Sequence, residues 1–188
     1  RCDNLPKRAT DNTMTADLAA TKRRPSLSVA QAARRAISDF IVKRDNGYTV
    51  IAGFPWFLDW GRDTLIALRG IIAMGWHTVA LSILTEFARF EDRGTIPNMI
   101  HGDDASNRDT SDAPLWFCIA CRELMEKANE TDVLGTDCGG RSIADVMTSI
   151  AEKYCAGTPN GIVVDQSSGL VYSPEHFTWM DTQYPAGT

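Results

Sequence analysis

The sequence has no long apolar run. No stretch of its 188 residues approaches the ~20 consecutive apolar residues that span a bilayer, and no basic segment followed by an apolar one opens the chain. GxGxxG and P-loop motifs are also absent. These absences argue against a membrane span, a signal peptide and the two commonest nucleotide-binding motifs.

Cysteine is scarce and irregularly spaced. The five residues are Cys2, Cys118, Cys121, Cys138 and Cys155, and an odd number at such spacing is not a secreted disulfide framework. Cys118 and Cys121 have the CxxC spacing, but no second pair completes a zinc site. We therefore predict that Cys118 and Cys121 are buried, reduced thiols, and we expect no metal, no cofactor and a reducing, cytoplasmic compartment.

Positive charge is thin over most of the chain. Residues 1–50 carry ten Lys/Arg and five Asp/Glu, whereas residues 51–188 carry nine Lys/Arg and nineteen Asp/Glu. A nucleic-acid-binding surface needs clustered basic residues on the folded part. The acidic portion therefore argues against nucleic acid and anionic membranes as partners, and it suits neutral polar ligands such as sugars.

A regular apolar pattern begins only at Ser28. Residues 1–27 are polar and aperiodic, so we interpret them as a linker or disordered tail and residues 28–188 as the folded domain. Ser28 and Gln31 form a predicted capping box. Apolar residues at helical spacing predict five helices, which cover residues 28–43, 64–74, 78–90, 112–129 and 142–155.

Extended structure is predicted in two places. "YTVIA" (48–52) follows the turn "RDNG" (44–47), which is expected to end the first helix, and a β-hairpin is expected near residues 161–173. The helices are joined alternately by short turns and by long polar loops. That alternation is typical of a helix bundle or an α/α toroid.

The stretch "GFPWFLDWGRDT", residues 53–64, combines aromatic rings with charge. Sugars bind through planar aromatic faces, carboxylate acceptors and bidentate donors, and Asp59, Trp60, Arg62 and Asp63 supply all three. The structural alternative is that Asp63 caps the next helix and Arg62 is its ion-pair partner. That alternative does not explain the tryptophans or Asp59, and the residues alone leave both interpretations open.

Asp181 is a candidate general acid. It follows Trp179 and Met180, and an apolar ring beside a carboxyl disfavours the charged form, which raises the pKa. Glycoside hydrolysis needs one such acid and a second carboxylate. By itself, "TWMD" describes a turn aspartate at least as well.

No metal site is predicted. "HGDDASNRD" (101–109) lacks the central glycine of a calcium loop, and Pro114 stands where the bidentate glutamate would be needed. His77, His101 and His176 are far apart in sequence, so a histidine metal site or a catalytic triad has little support.

Four separated motifs resemble one known family. "GFPWFLDWGRDTLIALRG" closely resembles the signature of the C-terminal catalytic domain of glycogen debranching enzymes, the amylo-α-1,6-glucosidase domain. "RGTIPN", "TSDAPLWF" and "SGLVYSPEHFTWMDTQYPAGT" follow in the family's order. The resemblance covers about residues 31–188, and the ordered series makes it specific.

The resemblance implies a fold and a reaction. The fold is all-α, an (α/α)6 barrel (a six-hairpin toroid) similar to that of glucoamylases, with roughly the first half present and the site in the long loops at one end. The implied reaction is hydrolysis, with inversion, of the α-1,6-linked glucose left as a stub on a glycogen branch point. Glycogen or another branched α-glucan is the implied partner.

The resemblance also implies residue roles. Asp181 matches the general acid, and Arg62 with Asp63 is similar to the pair that grips the terminal glucose hydroxyls. The remaining candidates are pocket walls (Asp59, Trp60, Trp116 and Trp179) and residues that either contact sugar or brace loops (Asn98 and Asp112).

The sequence departs from the family pattern in two ways. Pro114 replaces a small polar residue in the first turn of a helix, where proline is tolerated. The resemblance also implies further barrel helices carrying the general base, and inverting carboxylates must lie ~6.5–9.5 Å apart. We therefore expect this chain alone to be an inactive fragment that exposes apolar surface; an upstream 4-α-glucanotransferase domain stays an open question.

Two other functions stay open. Another (α/α)6 glycosidase of the glucoamylase or trehalase kind would differ in its preference between α-1,4 and α-1,6 linkages. A non-catalytic glycogen-binding module would keep the activity elsewhere, so that Asp181→Asn would leave it unaffected.

Overall fold

A computed structural model describes residues 27–45, 47–53, 57–128 and 132–180. The chain divides into two units, Arg1–Ala33 and Arg34–Thr188, and each is described by itself. The division leaves the predicted boundary between tail and domain untested.

The described residues form helices and short strands. The helices are α1 (Val29–Phe40), α2 (Gly61–Ala73), α3 (His77–Arg89), α4 (Ala113–Lys127) and α5 (Ile143–Ala156). The strands are β1 (Ile41–Arg44), β2 (Gly47–Val50), β3 (Asp59–Trp60), β4 (Met99–Ile100), β5 (Val163–Val164) and β6 (Val171–Tyr172). The helix-rich class agrees with prediction, whereas closure into a barrel stays a prediction.

The first helix starts as predicted but ends early. The Ser28 N–H donates to Gln31 Oε1 at 3.0 Å, and the Gln31 N–H donates to Ser28 Oγ at 3.2 Å, which confirms the capping box. α1 stops at Phe40, and β1 then pairs with β2 in an antiparallel hairpin. The turn "RDNG" therefore joins two strands, and the prediction that it ends a helix was wrong.

Two β-branched residues at the start of β1 explain why this segment forms a strand. Ile41 and Val42 favour extended backbone, and Asp45 at φ 45° follows them in the turn. Ile41 pairs with Val50 across the hairpin, and Val50 packs in the core. Ile41, which continues the apolar helical pattern in the sequence, therefore lies in a β-strand.

Helices α2 and α3 form a hairpin. Gly75, at φ 76°, lies in the turn between Ala73 and His77, a backbone conformation that favours glycine. The helices predicted over 64–74 and 78–90 are confirmed. α2 begins three residues earlier than predicted because its first turn is charged and shows no apolar period.

Helices α2 and α4 pack side by side and run parallel. Arg62 Nε lies 2.7 Å from Asp112 Oδ2 where both helices begin, and Arg69 Nε lies 2.8 Å from Glu123 Oε1 further along. The fully buried side chains between the helices form one core, to which α2 gives Leu65, Leu68 and Ile71, α3 gives Ile83, Leu84 and Phe87, and α4 gives Phe117 and Leu124.

The last predicted elements are also present. α5 begins after a reciprocal cap, in which Ser142 Oγ accepts from the Asp145 N–H at 3.1 Å and Asp145 Oδ2 accepts from the Ser142 N–H at 2.9 Å. Pro114 lies in the first turn of α4, where no helix hydrogen bond is lost. The hairpin of β5 and β6 confirms the strands expected near residues 161–173.

Three of the four described cysteines are largely buried. Cys121 and Cys138 are buried and Cys118 is half-buried, and all are free thiols. Burial raises the pKa of Cys118 to about 11, so its thiol stays protonated at neutral pH. Cys155 is exposed on the outer side of α5. Cys2 lies outside the described residues.

No helix in the described ranges is long and apolar enough to cross a membrane. In the same part of the chain, no three His, Cys, Asp or Glu side chains gather as metal ligands would.

Candidate active site

An open pocket of about 290 Å³ lies at the start of α2. Ala52, Phe57, Trp60 and Asp63 line it. The Phe57 ring is 60% exposed, Trp60 is half-buried, and Asp63 is exposed. The pocket therefore presents two aromatic surfaces and one carboxylate to solvent, the combination expected from residues 53–64.

Asp63 is not the cap of α2. Trp60 occupies the N-cap position without a side-chain hydrogen bond, and Asp63 lies in the first helical turn. A carboxylate in this turn is stabilised by the positive end of the helix dipole. Since its side chain hydrogen-bonds to none of the described residues, it is available to a ligand.

A two-residue strand fixes Trp60. β3 pairs with β4 in antiparallel register, with Trp60 opposite Met99, and the Gly61 N–H donates to the Asn98 carbonyl at 2.8 Å. Gly61 is required here because a Cβ would collide with the Pro97 carbonyl. The segment "TIPN" therefore holds the backbone next to Trp60 in place, although none of its residues lines the pocket.

Asp59 is buried in β3, next to Trp60 in the sequence. It is 4% exposed, and its Oδ2 lies 2.8 Å from Arg44 Nη1. Arg44 also lies 3.4 Å from Glu86 Oε1, and its Nη2 donates to the Gly102 carbonyl. Asp59 is therefore already paired inside the protein, and its predicted contact with sugar stays a prediction.

Arg62 pairs with Asp112, fifty residues along the chain. Arg62 Nε lies 2.8 Å from Oδ1 and 2.7 Å from Oδ2, so the suggested Arg62–Asp63 ion pair was wrong. Burial by itself raises the pKa of Asp112, but the Arg62 guanidinium and the Thr110 hydroxyl outweigh it and hold that pKa below the ordinary aspartate value. The Asp112 carboxyl is therefore ionised at neutral pH.

The family of this chain is evident from its sequence as a whole. The family described as amylo-alpha-1,6-glucosidase matches residues 35–187, which is 153 of the 188 residues. The chain belongs to this family. The matched range includes the pocket, the Arg62–Asp112 pair and the segment that leads to Asp181, and it confirms the resemblance of the four motifs.

Asp181, the predicted general acid, lies outside the described residues, which end at Met180. Trp179, two residues before it, is 75% exposed. Trp179 is not among the described residues that line the pocket.

Trp116 and Asn98 are not among the described residues that line the pocket. Trp116 is half-buried, with the Arg69 guanidinium 6.0 Å from its ring centre. Asn98 is 9% exposed, its N–H donates to the Asn107 carbonyl at 2.8 Å, and its Oδ1 is buried with no hydrogen-bond partner among the described residues. Asn98 therefore orders loops through its backbone.

Two larger cavities are less suited to a sugar. One of about 350 Å³ lies against α3, where Glu86 is already paired with Arg44 and Arg89, and another of about 430 Å³ between α4 and α5 is mostly apolar. Among the described residues, neither is lined by an aromatic ring. Chemistry rather than volume favours the pocket at Trp60.

Sequence reasoning missed three structural residues in this family member. Arg44 holds Asp59, Ser111 bonds the Phe177 carbonyl, and Tyr154 donates to the Ser111 carbonyl at 2.7 Å. The polar run around Ser111, directly before α4, was a sequence signal for such contacts. The partners of all three depend on tertiary structure and have no local pattern.

Proposed function

We propose that the chain belongs to a glycoside hydrolase that removes α-1,6-linked glucose from stubs on branched α-glucan such as glycogen. The observation that carries the proposal is the Phe57–Trp60–Asp63 pocket within a family of amylo-alpha-1,6-glucosidases. The mechanism is acid/base hydrolysis with inversion, and the architecture is part of an (α/α)6 barrel.

The pocket supplies the contacts that a terminal glucose needs. Trp60 and Phe57 offer flat apolar faces for the C–H surface of the ring, and Asp63 accepts hydrogen bonds from sugar hydroxyls. Of the Arg62 nitrogens, Nη1 has no partner among the described residues, so it is the donor left for a hydroxyl. Trp116, Trp179, Asn98, Asp112 and Asp59 are proposed as supporting residues of the same site.

Asp181 is the proposed general acid. It would protonate the glycosidic oxygen as the C–O bond breaks, while water attacks the anomeric carbon from the opposite face and a second carboxylate accepts the water proton. No described residue is assigned as that base. We also propose a cytoplasmic location, which suits the four free thiols of the described residues.

Asp63 provides the test of the pocket. Asp63→Asn removes the charge of one exposed acceptor, and a hydrogen bond to a charged group is worth about 1.5–3 kcal/mol, so the affinity for a maltooligosaccharide with one α-1,6-linked glucose falls about tenfold or more. Isothermal titration measures the dissociation constant. Asp109→Asn, an exposed aspartate outside the pocket lining, is the control for net charge.

Equal affinity in the Asp63 and Asp109 variants would contradict the pocket assignment. The linkage assignment is tested separately, by measuring glucose release from α-1,6-branched and linear α-1,4 oligosaccharides of equal length. A preference for the linear substrate would indicate a glucoamylase-like activity instead.

A further inference from the structure

One backbone carbonyl is held by three donors from two other elements. The Phe177 carbonyl accepts from the Ser111 N–H at 2.8 Å, the Ser111 hydroxyl at 3.0 Å and Arg62 Nη2 at 3.2 Å. A carbonyl oxygen has two lone pairs, so three donors saturate it. Such a concentration of hydrogen bonds on one loop carbonyl fixes its position relative to α2 and α4.

The donors are themselves held in place. Both Asp112 carboxylate oxygens accept from Arg62 Nε, and Asp112 Oδ1 also accepts from the Thr110 hydroxyl at 2.9 Å. The Arg62 and Asp112 side chains are only 16% and 29% exposed, so water competes little for these bonds. The guanidinium is thereby oriented with Nη2 toward the Phe177 carbonyl.

Ser111 is anchored from two further directions. Its carbonyl accepts from the Tyr154 hydroxyl of α5 at 2.7 Å, and its hydroxyl accepts from the Ser173 hydroxyl at 2.8 Å. Ser111 and Tyr154 are both buried. The segment from Ser173 to Phe177 is therefore attached to Ser111 at both of its ends.

Beyond Phe177, the segment makes no further hydrogen bond to another element in the described ranges, and Trp179 and Met180 are exposed. The Phe177 carbonyl is thus the last backbone group of the segment that hydrogen-bonds to other described residues. Asp181 follows four positions later in the sequence.

We propose that Arg62 and Ser111 form a clamp on the Phe177 carbonyl that positions the segment bearing the general acid. The clamp rests on the function proposed above, because it matters for catalysis only if Asp181 protonates the leaving group. Arg62 is then mainly a positioning residue. Its action on the reaction passes through the backbone at Phe177, and one nitrogen is left for the sugar.

The first experiment measures the clamp in this chain. Ser111→Ala removes one donor, and Arg62→Met removes another together with its ion pair. The amide of residue 111 donates to the Phe177 carbonyl, so its hydrogen exchange reports on the clamp. The lost Ser111 hydroxyl bond speeds that exchange about fivefold, and the loss of the charged Arg62 donor speeds it about tenfold. Circular dichroism checks that both variants fold.

Matched controls lie at a second arginine–carboxylate site. Arg141 pairs with Glu91 at 2.6 Å and donates to the Glu91 carbonyl at 3.0 Å, and Ser149 donates to Glu91 at 2.8 Å. Arg141→Met and Ser149→Ala should leave exchange of the residue 111 amide unchanged. Unchanged exchange in the Ser111 and Arg62 variants, or an equal increase in the controls, would overturn the clamp.

The second experiment measures catalysis, in whichever form of the protein releases glucose, this chain or a longer one. A clamp predicts that Ser111→Ala lowers kcat on the α-1,6-branched oligosaccharide at least fivefold and changes KM less than twofold, and that Arg62→Lys also lowers kcat at least fivefold. Lysine keeps a charge for Asp112 but lacks the forked donors. A rise in KM with unchanged kcat would make Arg62 a sugar-gripping residue and overturn the proposal.

Failure of the proposed function gives a different result. If Asp181→Asn keeps full activity, the acid assignment is wrong, and the catalytic role of the clamp is overturned with it. If Asp181→Asn is inactive while Ser111→Ala keeps wild-type kcat, the acid assignment stands and the clamp alone is overturned.

Discussion

At the scale of single residues, the charged side chains of residues 53–64 occupy three different environments. Asp59 is buried with Arg44, Arg62 is half-buried with Asp112, and Asp63 is exposed in the pocket. Only the last has a side chain that is not committed to another described residue. Adjacent charges in sequence therefore differ in their partners: Asp59 pairs with β1 through Arg44, Arg62 pairs with Asp112 at the start of α4, and Asp63 is exposed in the pocket where we propose that a sugar binds.

Removing Asp59 should destabilise the fold. Asp59→Ala leaves the buried Arg44 with Glu86 as its remaining carboxylate, so the cost is about 2 kcal/mol, less than the 3–5 kcal/mol of a fully unpaired buried charge. Urea unfolding measures it. Because the partner charge causes the loss, Arg44→Met combined with Asp59→Leu should recover part of the stability, and no recovery would contradict this explanation.

The Asp112 carboxylate makes stability depend on acidity. Its pKa is lower in the folded protein than the ordinary value of 3.8, so its stabilising effect is complete above that value and is lost as the pH falls below it. Asp112→Asn should therefore flatten the fall in unfolding free energy below about pH 4. Urea titrations from pH 7 to pH 3 measure this; an unchanged slope would show that other carboxylates account for it.

At the scale of elements, a cap is worth most where its helix is buried. α5 carries four buried residues, whereas α1 carries none. Both begin with a reciprocal cap on a serine, Ser142 and Ser28. The same local motif should thus contribute differently to the stability of the two helices.

Serine-to-alanine substitution at the two caps tests this difference. Ser142→Ala should lower the unfolding free energy by about 1 kcal/mol, while Ser28→Ala should change it by a few tenths at most, because no residue of α1 is fully buried. Thermal denaturation followed by circular dichroism compares them. Equal losses would mean that α1 unfolds cooperatively with the core.

Element prediction succeeded where apolar periods were long. α3 and α5 match their predicted ranges within one residue at each end, because apolar residues repeat through several turns. β1 was assigned to a helix since Ile41 fits both periods, and the β3–β4 pair was missed because two residues have no period. Tertiary pairing decided both cases.

At the scale of the whole molecule, the sequence showed which residues line the pocket but not which distant residues hydrogen-bond to one another. Trp60 and Asp63 were expected in one pocket and line one. The link from Arg62 to Asp112 and to Phe177 joins residues 50 and 115 positions apart, which no local pattern encodes. The family match covers these positions, which agrees with a glycosidase domain.

The most direct test of the account is the effect of Asp181→Asn on glucose release. The substrate is a maltooligosaccharide with a single α-1,6-linked glucose, and the protein is the form that releases glucose. General acid catalysis contributes about 10²–10⁴-fold, so kcat should fall by that factor while the substrate still binds. A variant with wild-type kcat would contradict the account.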